Sequence, residues 1–328
     1  MRKKFQIKKE HHYVWANYLL NWSCDGKNLW FVTSKRKLIF DSARMVAKER
    51  FFYKVRPLTQ EHIFLIEQYL STCEIKDYFL DLLDDFVKVQ VNEAKCSGHE
   101  SELALEAYRH NTLENYHSGY EYRAKPIVDR LVTLDLSCLD DDTNVLLLSQ
   151  YLGQQFARTK SFKQLALLAM SKRHNNTDAM FIHKNTTECW WFISHMIGHN
   201  LGLSIYSDRH VTTTSLLFNN TKQSFITSDQ PVINIHPELT GDIDTSPEDH
   251  QFDLYYPLSP QVALVICNSG QFKPGIVNVS IDVVDKLNIM LACRAYKHIF
   301  GTEQAAIEPY KRLVGKQYLK VKKWVDDN

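Results

Sequence analysis

No Cys-x-x-Cys pair occurs anywhere in the sequence, and its seven cysteines, Cys24, Cys73, Cys96, Cys138, Cys189, Cys267 and Cys293, are odd in number and widely dispersed. That scatter argues against a disulfide framework and against a thiolate zinc site. Missing too is any run of about 18 uncharged apolar residues, the length a membrane-spanning helix needs. The opening MRKKFQIKKEHHYVWANYLLNW is basic but has no continuous apolar segment and no small-residue cleavage site, so no export signal is expected and the chain reads as cytoplasmic. Sequons at Asn185 and Asn219 are then chance matches. Neither sign of charge dominates. Lys and Arg number 39 against 38 Asp and Glu, so no global field marks a nucleic-acid or membrane partner, and any such partner must be recognised locally. The absence of a glycine-rich phosphate loop, a Walker lysine and a nucleophile elbow removes most support from ATP-driven and serine-hydrolase chemistry, and no cofactor is expected.

What remains is a globular composition, 44% hydrophobic and 23% charged over 328 residues, enough to bury a sizeable core. Residues 1–56 mix a short helical candidate around Val14 to Leu20 with two strand-like runs, 28–34 and 37–42, joined as a plausible hairpin. From Pro57 to about residue 205 the texture is helical. Thr59 can cap a helix with Glu61 in its first turn and a stripe of Ile63, Ile66 and Leu70. A second helix starts near Ile75 and places Phe79, Leu83, Phe86 and Val89 on one face. Pro126 should start a new helix within 99–133 rather than continue one. The stretch from Leu139 to Arg173 reads as acidic caps, a long apolar stripe and a basic end, and a further helix spans about 187–202. Residues 206–300 are strand-rich and close with a helix over Val283 to Ile299, and 301–328 form a basic tail. Helices in a block followed by strands in a block predict an α+β fold: a central block of helices with a mostly antiparallel sheet built from N-terminal and C-terminal strands. One domain over 1–328 is expected.

Four constellations carry possible chemistry. In KKEHHY, His11 and His12 beside Glu10 and two lysines could supply a base and a phosphate contact, or simply polar groups beside a packed helix. In SQYLGQQFART, Gln150, Gln154 and Arg158 share a helix face, with Gln155 three before Arg158; amides and a guanidinium can clamp a phosphate, and a solvated face looks the same. In HMIGHN, His195 and His199 are four apart, but Met196 stands where a zincin has Glu; Glu188 is the nearest carboxylate in an otherwise apolar stretch, so core histidines bonded to backbone are expected. In the tail, Lys311, Arg312, Lys316, Lys320, Lys322 and Lys323 interleave with Tyr310, Tyr318 and Trp324, suited to RNA phosphates and bases or to an amphipathic helix on the body. One break remains to be explained. In SFITSDQPVINIHP, an apolar run stops at Thr227–Pro231 and resumes at once, as a bend or as the rim of a site holding Asp229.

Several stretches together resemble the bacterial and phage family known as domain of unknown function 4238. They are HHYVWANYLLNW with the following LWF and SARMVAKERFFY, then Gln155 three before Arg158 and Thr159, then Thr227-Ser228-Asp229 with Pro231 and Val232, then Pro257-Leu258-Ser259-Pro260. Trp15 departs from the Pro expected in the opening motif. The resemblance spans nearly the whole chain, implies no established activity, and suggests a toxin-like or anti-phage defence role.

It also directs attention to His12, Arg158 and Asp229, with Gln155 and Gln154 in support. On the leading expectation this is a hydrolase that uses no metal and acts on a phosphate-bearing substrate such as RNA. His12 exchanges a proton, Arg158 stabilises phosphoryl charge, Asp229 orients the histidine, and Lys320, Lys322 and Lys323 steer the substrate. The alternative is an interaction protein, with a protein partner or antitoxin, in which the same residues form a structural network. A metalloenzyme using His195, His199 and Glu188 is the outsider.

Overall fold

The computed structural model describes residues 6–71, 73–93, 98–172, 177–239, 247–248 and 250–327; Cys96 and residues 240–246 of the acidic 236–251 loop lie outside them. The chain opens with β1 (Glu10–His12), the short helix α1 (Ala16–Leu19), the hairpin β2 (Asn28–Val32) and β3 (Leu38–Ser42), and β4 (Lys48–Arg50). The helical block is α2 (Gln60–Leu70), α3 (Lys76–Glu93), α4 (His99–Val132), α5 (Asp142–Ala157), α6 (Lys160–Lys172), α7 (Thr177–Glu188) and α8 (Trp190–Ser207). Then come β5 (Thr213–Phe218), β6 (Thr227–Ser228), β7 (Ile233–Asn234), β8 (Leu254–Pro257), β9 (Val262–Cys267) and β10 (Gly275–Asn278), followed by α9 (Ile281–Arg294), β11 (Ile299–Gly301), α10 (Gln304–Ile307) and α11 (Lys316–Asp327). The fold is α+β.

Its described strands form three sheets. β1 pairs antiparallel with β4. The order β3-β2-β11-β6, antiparallel throughout, joins strands from both ends of the chain, as the sequence pattern suggests. The order β10-β5-β9-β8-β7 uses later strands alone, antiparallel except for the parallel β10–β5 pair. α1 and the turn after it reach across to the later strands. The Tyr18 hydroxyl donates to the Pro257 carbonyl at 2.8 Å, the Asn21 amide to Leu258 O at 2.7 Å, and the Trp22 indole N–H to Phe225 O at 2.8 Å. All three aromatic and amide donors are thereby satisfied inside an apolar core, where an unmade bond is expensive.

Local signals hold in the helical block. Thr59 caps α2 reciprocally with His62, and Phe79, Leu83 and Phe86 of α3 are buried. Three expectations are corrected. α4 runs unbroken through Pro126, because that residue is on the solvent face between buried Ala124 and the Ile127–Val128 pair, so the carbonyl its ring frees meets water while packing on both sides holds the axis. The helix expected from Leu139 to Arg173 is two. α5 stops at Arg158, and the Thr159 hydroxyl accepts the Phe162 N–H at 3.1 Å to start α6. Lastly, α9 ends at Arg294, and Ile299 is a strand residue lodged between β2 and β6.

α5 and α8 cross with backbone against backbone. A Cβ built on Gly153 would lie on the Gly198 carbonyl and 2.5 Å from the Gly202 amide nitrogen, and one on Gly202 would come within 2.9 Å of Gln150 Cα. No side chain can yield there, since the opposing atoms are main chain. Gly153→Ala is therefore expected to lower unfolding free energy by about 3 kcal/mol or more, at the upper end of overpacking costs, read from denaturant midpoints; an unchanged midpoint would contradict the close crossing.

Candidate functional site

The N-terminal segment is strapped along α4. Lys8 N–H donates to Asn111 Oδ1 at 2.8 Å, Lys8 Nζ to Asn115 Oδ1 at 2.7 Å, and Asn111 Nδ2 to Gln6 O at 2.9 Å. One turn further along the same α4 face, Glu114 accepts the backbone N–H of His12. Glu114, His117 and Glu121 are spaced three and four apart, so they line one side of α4, and opposite them stands Arg158 at the end of α5.

Arg158 is 3% exposed, and its Nη2 donates to Glu121 Oε1 at 2.6 Å and to Gln155 Oε1 at 2.7 Å. Gln155 in turn donates from Nε2 to Tyr13 O at 3.1 Å, and the Tyr53 hydroxyl donates to Arg158 O at 3.0 Å. Gln154 turns the other way, donating to His195 O on α8 at 2.9 Å. Of the glutamines expected beside Arg158, Gln155 is bonded to it, and Gln154 belongs to the helix crossing.

The paired histidines have separate fates. His11 is fully buried, stacked on Tyr53, with Nε2–H donating to Lys8 O at 3.0 Å and Nδ1 accepting the Tyr53 N–H at 2.8 Å, which fixes a neutral tautomer. His12 is half-buried. Its Nε2 donates to Arg44 O at 3.1 Å, so in the neutral ring the lone pair sits on Nδ1. Burial lowers the His12 pKa, and the positive charges of Lys48 and Arg158 add to that. Glu114 goes the other way: burial, reinforced by Glu121 and opposed by Arg158, pushes its carboxyl up to about 7. Burial likewise pushes Glu121 up while Arg158 pulls it back. His117, fully enclosed beside Tyr53 at 4.6 Å between ring centres, is held well below the usual histidine range by burial and by Arg158. Three side-chain atoms of this cluster, Glu114 Oε2, His117 Nδ1 and Arg158 Nε, are buried without a hydrogen-bond partner.

Asp229 is elsewhere, 1% exposed. Its Oδ1 accepts the Tyr296 N–H at 2.8 Å, its Oδ2 accepts those of Lys297 at 2.7 Å and His298 at 3.0 Å, and its own N–H donates to His298 O at 3.0 Å. Burial pushes this carboxyl up, against His298 and the three amides. The neighbouring Gln230 bonds the Thr159 hydroxyl and donates to Phe156 O at 3.3 Å. The Thr227–Pro231 stretch thus touches the α5 end through Gln230, while the Asp229 carboxylate is directed to the 296–298 turn.

Lys320, Lys322 and Lys323 are exposed on α11, which packs on α6 and α9 outside the cluster. Glu188 pairs with His62 at 3.1 Å instead of joining His195 and His199. His199 bonds the Tyr120 hydroxyl at 2.6 Å, and neither ring nitrogen of buried His195 has a partner, so these core histidines are not bonded to backbone as expected. Among the described residues, no group of three or more His, Cys, Asp or Glu side chains is arranged to hold a metal ion, and no helix is long and apolar enough to cross a membrane. Sequence reasoning passed over Glu114, His117 and Glu121; their spacing on one side of α4 was the available signal.

In comparison with known proteins, the model of the family described as protein of unknown function (DUF4238) matches residues 10–305. No curated protein and no solved structure matches the chain.

Two outcomes follow. Asp229→Ala removes the acceptor of three part-buried amides, bonds to a charged group worth about 1.5–3 kcal/mol each, and is expected to lower stability by about 3 kcal/mol or more in chemical denaturation. For Glu114, whose folded pKa lies above the ordinary value of 4.5, stability is complete below about pH 4.5 and declines as pH rises to about 7. The loss is about 3.5 kcal/mol at 1.4 kcal/mol per unit. Glu114→Gln cannot ionise, so the difference between its denaturant midpoint and that of wild type should open across that window, with the variant exceeding wild type above pH 7.

Proposed function

We propose, from the premise that this chain belongs to the family described as protein of unknown function (DUF4238), that the cluster of His12, Glu114 and Arg158 is an acid–base site for cleavage of a phosphate-bearing substrate, with RNA as its class, by internal transesterification, the first half of a hydrolase reaction. The observation that carries this reading is the convergence of unpartnered buried atoms on Glu114, His117 and Arg158. Folded proteins satisfy nearly all such atoms, so several in one place support a site made for something else. Opposite displacement of two neighbouring titratable groups supports it further, since it assigns a base and an acid.

In this reading His12 Nδ1 takes the proton of a ribose 2′-hydroxyl. The 2′ oxygen bonds to the adjacent phosphorus, the bond to the 5′ oxygen breaks, and Glu114 gives its proton to that leaving oxygen. Arg158 stabilises the charge that develops on the phosphoryl oxygens. The products are a 2′,3′-cyclic phosphate and a 5′-hydroxyl, and the step needs no group beyond the cluster. Asp229, expected to orient the histidine, contributes instead by fixing the turn that holds the sheet. Lys320, Lys322 and Lys323 would steer the RNA from α11. Such cleavage in the cytoplasm would give a toxin-like or anti-phage effector, held in check by a protein partner covering the site.

A second reading, a non-enzymatic interaction protein with a structural network, is favoured by the saturation of Arg158 Nη2 and of Asp229 by protein partners. Incubation of purified protein with mixed-sequence single-stranded RNA in excess chelator separates the two. Cleavage to cyclic-phosphate ends is expected, with a rate that falls above about pH 7 as Glu114 ionises. His12→Ala and Glu114→Gln should each slow it by about 100-fold or more, with His12→Ala melting within a few degrees of wild type and Glu114→Gln at or above it. Absence of cleavage, with His12→Ala melting well below wild type, would overturn the enzyme in favour of the network.

A further inference from the structure

At the opposite end of α5 from Arg158, about 24 Å away for a 16-residue helix, lies a cavity of about 280 Å³. Val145 and Leu148 of α5, Ile205 of α8, and Leu264 and Ile266 of β9 make its apolar wall. Its polar lining is Asp142, Ser149, Arg209, His210, Thr212 and Thr214, with Arg209 and Asp142 in contact. The size is just below the ~300–1,000 Å³ range of ligand pockets, and the lining divides between apolar and polar side chains, an amphipathic interior.

The guanidinium at that side is held in place. Arg209 Nη1 donates to Tyr206 O at 3.0 Å, its Cζ sits 4.0 Å over the Tyr206 ring, and its Nε donates to Asp142 Oδ1 at 3.1 Å. The Asp142 side chain is 70% exposed while that of Arg209 is 24% exposed. The carboxylate is therefore the mobile, easily hydrated partner, and exposed ion pairs of this kind exchange readily. A planar guanidinium suits a carboxylate or phosphate fork.

We infer that this cavity binds a small amphipathic anion, its apolar tail against Leu148, Ile205 and Leu264 and its carboxylate head on Arg209 in place of Asp142. The apolar wall selects the tail, and Arg209 selects the charge. Neither feature belongs to the acid–base cluster, so binding here and RNA cleavage stand or fall separately.

Calorimetric titration of the full chain with decanoate, below its micelle concentration, tests the inference, with decanol and acetate as matched probes. One molecule of decanoate is expected to bind at least tenfold more tightly than either control. Arg209→Ala should weaken it at least tenfold, and Asp142→Asn should tighten it several-fold by releasing the guanidinium. Val145→Phe, folded as judged by circular dichroism, should fill the cavity and abolish binding. Decanol binding as tightly as decanoate, equal decanoate binding by Arg209→Ala, unchanged binding by Val145→Phe, or no binding by wild type would each overturn it.

Discussion

One buried carboxylate decides how the strand-rich half of this protein is joined. Asp229 collects three consecutive main-chain N–H groups, those of Tyr296, Lys297 and His298. It does so at the point where the chain leaves β6 of one sheet for β7 of the other. Pro231, which has no N–H to give a ladder, marks the transfer. The clasp sets the turn after α9, that turn delivers β11 between β2 and β6, and His298 adds its own ring bond to Val32 O at 2.8 Å. The interruption in SFITSDQPVINIHP is thus the crossing between two sheets. Its acid is fully engaged in making the crossing rigid.

The helical half depends on a different constraint, the burial of Arg158. A guanidinium sealed from water needs a counter-charge, and Glu121 provides it from α4. Satisfying Arg158 therefore fixes α4 against α5, Gln155 passes the contact to Tyr13, and the N-terminal strap is drawn over both helices. Glu114 lies under that strap with the charge of Glu121 nearby, and the same enclosure that stabilises the neutral acid at Glu114 stabilises the neutral base at His12. Architecture and acid–base character have one cause here, the burial that packs the N-terminal segment, α4 and the α5 end together.

Much of this was readable locally. The Thr59 cap, the Phe79–Leu83–Phe86 stripe, the 28–42 hairpin and the Gln155–Arg158 spacing are patterns that short-range geometry dictates, and each is present. What escaped depends on distant partners. Thr159 divides α5 from α6, with its hydroxyl bonded to Gln230 some seventy positions later. Ile299 leaves the helix pattern because an open slot between β2 and β6 accepts a strand. For Glu114 and Glu121 the spacing was visible, yet nothing local distinguishes them from the solvated acids of a long amphipathic helix; only the strap and Arg158 do. Asp229 was singled out correctly as unusual, but its partners are backbone amides, which carry no side-chain signature.

The placement of β11 has a further consequence for how the protein is made. β2 has β3 on one edge from early in synthesis, whereas its other edge is closed only by residues 299–301. Until residues 299–301 are made, the hairpin presents an open row of hydrogen-bonding groups, and at a still earlier stage Trp22 and Tyr18 lack the carbonyls of Phe225 and Pro257 that they will later bond. The hairpin is made long before the strand that closes it, so the nascent chain carries an unfinished sheet edge across the whole interval between β2 and β11.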